Sequence, residues 1–146
     1  MIRSLFHTVL LRMTALLLLF LLLSSCASLP LAGGKEPRTI IIRNRSGADI
    51  AEVSLREAGS GSRVSRFGTL APVPMGVPQE FGRPTDPPPL PRTVAVEWVD
   101  SGGKPHVREL SIVKALRNAT GNRDEALVFE IGPYEAVLVF IEKIPE

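Results

Sequence analysis

Two hydrophobic patterns divide this chain. Residues 13–23 (Met-Thr-Ala-Leu-Leu-Leu-Leu-Phe-Leu-Leu-Leu) are an apolar block with no period. From Thr39 onward, short runs separated by turn residues alternate apolar and polar side chains, the period of half-buried strands. Thr39-Ile40-Ile41-Ile42-Arg43 is a β-branched run closed by Asn44 and a Ser46-Gly47 turn. Ala51, Val53 and Leu55 alternate with Glu52, Ser54 and Arg56, and weaker strands are expected within 64–70 and 75–81. Later, Leu127, Phe129 and Ile131 alternate with Val128 and Glu130 before Gly132-Pro133 turns the chain. The run from Ala136 to Ile141 is apolar on both sides, which predicts a central strand covered on both faces.

The clearest hairpin is Thr93–Ile112. Val94, Val96 and Trp98 share one face, as do Leu110 and Ile112 on the returning strand. One register pairs Val96 with Leu110 but sets Glu97 against Glu109. A second pairs Val96 with Ile112, Trp98 with Leu110 and Asp100 with Arg108. Like charges placed opposite destabilise a sheet by a few tenths of a kcal/mol, so the second register is expected.

Gly59-Ser60-Gly61-Ser62 reads as a loop, Arg83–Arg92 as an extended proline-rich connection, and Lys114–Thr120 as one or two helical turns. No internal repeat is present. The expectation is an all-β domain over residues 38–146: an antiparallel β-sandwich of about seven or eight short strands, immunoglobulin-like or transthyretin-like.

The apolar block has basic residues before it (Arg3, Arg12) and small residues after it, the layout of a secretory signal in residues 1–25. It is shorter than the roughly 20 apolar residues a bilayer span needs. Leu23-Ser24-Ser25-Cys26 resembles the lipobox of bacterial lipoproteins, and Cys26 is the only cysteine in the chain. The resemblance implies that diacylglycerol is attached to the Cys26 sulfur and that the chain is cut before it. Acyl chains contribute about 0.8 kcal/mol per buried methylene, so two or three of them anchor firmly. Ala27 stands where an aspartate resembles an inner-membrane retention signal, which implies the outer membrane, facing the periplasm. Residues 26–37 then form the lipidated N-terminus and a flexible tether reaching roughly 35–40 Å when extended. The alternative is an ordinary secretory signal that leaves Cys26 as a free thiol.

Charge adds one exclusion. The 17 Lys and Arg face 15 Asp and Glu, and the excess disappears once Arg3 and Arg12 leave with the signal. The remaining arginines are scattered singly, so no basic stripe marks a nucleic-acid partner.

Catalytic parts are sparse. His7 falls in the signal, which leaves His106 as the single histidine of the mature protein. With Cys26 lipidated, that is too few N and S ligands for a zinc or copper site, so no metal and no cofactor are expected. Asp100, Ser101 and His106 contain the residue types of a hydrolase triad, but Asp-Ser-Gly-Gly-Lys-Pro is first a hairpin loop. Glu97 and Glu109 are a conceivable carboxylate pair, which the second register separates. No catalytic residue is assigned. Trp98 reads as a core anchor and Tyr134 as an exposed aromatic at a turn; either is a candidate stacking platform for a sugar. The expected function is a non-catalytic, lipid-anchored envelope protein that binds or assembles another envelope component. A small-ligand or glycan-binding lipoprotein is the alternative.

Overall fold

A computed structural model describes residues 36–59, 67–81 and 89–145. The signal, Cys26, the tether before Glu36 and most of the Gly-Ser and proline-rich loops lie outside the described residues. The domain is an all-β sandwich. In chain order its elements are β1 (Thr39–Asn44), β2 (Ile50–Glu57), β3 (Thr69–Leu70), β4 (Gln79–Phe81), β5 (Thr93–Asp100), β6 (Pro105–Ser111), helix α1 (Val113–Asn118), β7 (Glu125–Ile131) and β8 (Val137–Lys143). One sheet has the order β4-β1-β7-β8 and the other β3-β2-β5-β6. All pairings between these strands are antiparallel except β1 with β7.

The alternation predicted from sequence places the core. Ile40 and Ile42, Val53 and Leu55, Val94 and Val96, and Leu127 and Phe129 meet between the sheets, each shielded from solvent. Burial of this kind stabilises by about 1.5–3 kcal/mol per large aliphatic or aromatic side chain. Helix α1 adds Ala115 to the same core, with Leu116 packed against it. Trp98 is buried there too, as expected of a core anchor.

Two expectations need correction. The β5–β6 register pairs Val96 with Arg108, Trp98 with His106 and Val94 with Leu110. Neither register considered from sequence is adopted, and Asp100 does not face Arg108. The turn decides the outcome. The Asp100 N–H donates to the Lys104 carbonyl (3.1 Å) and the Gly103 N–H to the Asp100 carbonyl (2.9 Å). Asp100 Oδ1 accepts from the N–H groups of Gly102 and Lys104, both at 2.9 Å. Gly103 takes a left-handed φ of 81°, so Ser101-Gly102-Gly103 closes as a three-residue hairpin loop. Pairing Asp100 with Arg108 would have opened residues 101–107 into a floppy loop, and a few tenths of a kcal/mol from charge pairing does not offset that. Glu97 and Glu109 are not opposite each other; Glu97 faces Val107 and forms an ion pair with Arg56.

The second correction concerns β8. Its two-sided apolar pattern predicted a central strand, but β8 is the outermost strand of its sheet. Its inward residues Val137, Val139 and Ile141 pack against the core, and Leu138 on the other face is exposed. The outer Phe140 lies beside Val128 and under Arg43, which bonds both oxygens of Glu142 (2.9 and 2.8 Å) and lies 6.0 Å from the Phe140 ring.

Candidate functional site

The strand directions sort the turns between two ends. Thr39, Glu57, Thr93, Ser111, Glu125 and Lys143 lie at the end where the chain enters the domain. The opposite end carries the turns between β1 and β2, β5 and β6, and β7 and β8, plus the segment around Val73–Val77. Asn44 organises part of it from a fully buried position. Its Nδ2 donates to the carbonyls of Ala48 (2.8 Å) and Val73 (2.9 Å), and its Oδ1 accepts from the Ser46 N–H (3.0 Å). Asp49 Oδ1 accepts from the Met75 N–H at 2.8 Å. Short polar side chains thereby satisfy the backbone groups that the turns leave unpaired.

At the same end, His106 joins the two sheets. The β5–β6 register sets it opposite Trp98, and the rings stack with centroids 5.1 Å apart and planes 10° from parallel. His106 Nδ1 lies 2.9 Å from Glu135 Oε1, and Nε2 lies 3.0 Å from Asp100 Oδ2. A carboxylate can only accept, so both contacts are hydrogen bonds when both ring nitrogens carry a proton. Glu135 comes from the β7–β8 turn of the other sheet. Arg108 holds it as well, donating from Nη2 to Oε2 (2.7 Å) and from Nε to the Glu135 carbonyl (3.1 Å), and Lys104 Nζ stands 3.7 Å away.

These contacts set the acidities. The His106 hydrogen bond foremost, then the charges of Arg108, His106 and Lys104, hold the Glu135 carboxyl below its ordinary value, against an opposing push from partial burial. Asp100 is lowered chiefly by the His106 hydrogen bond and further by the Lys104 and Gly102 N–H groups. Both carboxylates are therefore kept ionised beside the imidazole.

The clamp on Glu135 goes with a strained turn. Tyr134 (φ 55°, ψ 33°) and Glu135 (φ 60°) both occupy the left-handed region, and the Ala136 N–H closes the turn on the Pro133 carbonyl at 3.2 Å. For residues other than glycine this region costs roughly 1–2 kcal/mol each. Such outliers persist where the surroundings over-determine them. Glu135 is pinned from the other sheet, and Tyr134 is carried outward with 99% of its surface exposed. Beside it runs a groove of about 220 Å³ whose walls include Ser46, Asp49, Ile50, Asp100 and Glu135.

The sequence-predicted site residues are thereby placed. Asp100 and His106 do bond, but both ring nitrogens of His106 face carboxylates, and Ser101 lies in the hairpin loop rather than at a ring nitrogen. The two carboxylates approach opposite edges of the ring, so they do not converge with it on a cation; among the described residues no group of three His, Cys, Asp or Glu forms a metal site. The Trp98 ring is covered by His106 and offers no free stacking face, while Tyr134 does. Glu135 and Arg108 were missed. Their only sequence signal was an acidic residue in a turn and a basic one on a strand.

No family model, no curated protein and no solved structure matches this chain. Among the described residues, no helix is long and apolar enough to cross a membrane.

Proposed function

We propose that this protein is a non-catalytic, lipid-anchored component of a bacterial cell envelope that binds or assembles another envelope component. Cys26 carries the lipid, residues 27–37 tether the domain, and the outer membrane facing the periplasm is its place. One observation carries the binding role: Tyr134, a fully exposed aromatic, sits on a strained turn braced from the opposite sheet. Tyrosine supplies large contact area at low entropic cost, and a turn held in one conformation loses little freedom on binding. The polar cluster behind it serves this bracing: the two ring nitrogens of His106 bridge Asp100 of one sheet and Glu135 of the other.

The test is to cross-link the native protein in intact cells, purify it from membranes and identify what accompanies it. One stoichiometric envelope protein is the expected result, and a partnerless lipoprotein overturns the proposal. Cys26→Ser checks the anchor. It is expected to leave an unprocessed, unacylated precursor; a normally processed, soluble product refutes lipidation. The second reading, glycan or small-ligand binding, is favoured by the groove beside Tyr134 and predicts ligand-dependent change in tyrosine fluorescence.

A further inference from the structure

The bridge between the sheets runs through one ionisable ring. The His106 side chain is only 9% exposed and stacks on Trp98, so it has little room to turn away. Its Nε2 meets Asp100 Oδ2 and its Nδ1 meets Glu135 Oε1. Two N–H donors serve both carboxylates. A neutral imidazole has one N–H, and its other nitrogen turns a lone pair toward a carboxylate oxygen, so one contact must open. The two partners differ in what else holds them. Asp100 Oδ1 accepts from the Gly102 and Lys104 N–H groups that close the hairpin loop, which fixes its place. Glu135 sits at φ 60° beside Tyr134 at φ 55°, in strained backbone, and its other ties are to the exposed Arg108 and Lys104. Exposed ion pairs contribute little. Glu135 is therefore the side that yields.

We propose that His106 is a proton-operated latch on the turn between β7 and β8. With both ring nitrogens protonated, it locks Glu135 and the adjoining Tyr134 to the β5–β6 hairpin. When it gives up the Nδ1 proton, it keeps the Nε2 hydrogen for Asp100 and the turn loosens. The latch belongs to the domain itself and does not depend on what Tyr134 contacts. Linkage fixes the sign: the locked turn binds the extra proton, so it is favoured on the acid side of the His106 titration and loosens as pH rises through it. Other charged groups near the ring do not replace the lost donor. Lys104 and Arg108 bond Glu135. Asp49, which shares the groove beside Tyr134 with His106, accepts from the Met75 N–H. Glu52 and Glu97 share a second cavity with His106, and Glu97 is paired with Arg56. These three are acceptors. Far into acid, protonation of Asp100 and Glu135 ends the lock from the other side.

The experiment is an NMR titration of the full-length lipoprotein in detergent, labelled with 15N-histidine and 15N-tyrosine. It runs from about pH 5 to pH 9, which brackets the ordinary range of imidazoles and lies above that of carboxylates. Ring shifts give the charge and tautomer of His106, and the amide of the chain's only tyrosine reports the turn. As pH rises, the ring is expected to pass from doubly protonated to the Nε2–H form. At the same midpoint the Tyr134 amide order parameter should fall from about 0.85 to below about 0.6. Glu135→Gln is the contrast. Its NH2 can donate to Nδ1 of the neutral ring while its oxygen stays with Arg108, so its Tyr134 amide should remain ordered at the alkaline end. The latch is refuted by a Tyr134 amide that does not follow the His106 titration, or by a neutral ring with its hydrogen on Nδ1. A ring that keeps one protonation state throughout, or a Glu135→Gln turn that loosens as wild type does, refutes it equally.

Discussion

Tyr134→Asn should make the protein more stable, which is unusual for a change at a residue proposed to carry function. The side chain is fully exposed, so its removal takes almost no apolar surface from the core. What changes is the backbone. At φ 55° and ψ 33°, tyrosine bears a left-handed penalty of roughly 1–2 kcal/mol, which asparagine largely avoids because its short polar side chain suits that region. Asparagine is also less costly than glycine in the unfolded state, where glycine's extra freedom erodes the gain. The expected gain is about 0.5–1 kcal/mol, or a rise of a few degrees in Tm for a domain of this size. Glu135→Gly provides the sign contrast. It relieves the same kind of strain at φ 60° but deletes the carboxylate that meets His106 and Arg108, and it should destabilise. Thermal and urea unfolding of both variants beside wild type, in one detergent, measure the pair. A destabilised Tyr134→Asn, or a Glu135→Gly as stable as wild type, would refute the idea that the clamp holds a strained turn.

Two further predictions concern the core and pH. Phe129→Ala empties a fully buried position between the sheets and should cost about 3–5 kcal/mol, read as a lowered urea midpoint at unchanged m; a loss below 1 kcal/mol would mean the core is not packed as described. Asp100 (ordinary value 3.8), Glu125 and Glu135 (both 4.5) all titrate lower in the folded protein, Glu125 mainly through the Thr120 hydroxyl. The unfolded chain therefore takes up protons first as pH falls. These groups stabilise fully above about pH 5, and their contribution is lost as pH drops through the ordinary and then the lowered values. Tm measured from pH 7 to pH 3 should fall on the acid side, less steeply in Glu125→Gln, and a flat acid limb in wild type would contradict the bonding at all three.

Much of this architecture was legible without coordinates, because it is written in local chemistry. Period-two alternation located the main strands, and the inward positions Ile40, Val53, Val96 and Phe129 follow from it. Asn44, Gly47 and Ser101-Gly102-Gly103 marked turns through the conformations those residues favour. The inward face of Trp98 followed from sharing Val94 and Val96. Tertiary structure alone decided the rest. The apolar pattern of β8 could not show which strands flank it, since strand order depends on pairing between distant segments. The hairpin register hinged on two backbone bonds and the Asp100 carboxylate closing the loop, which outweighed the charge pairing read along the strands. The clamp was invisible, because His106 and Glu135 are 29 residues apart on turns of different sheets and meet only when those sheets pack face to face. Sequence by itself dictates which side chains must be inward, through the free energy of taking apolar surface out of water. Which polar groups then come within 3 Å of each other is set by how the layers stack, and that gave Tyr134 its rigid, solvent-facing position.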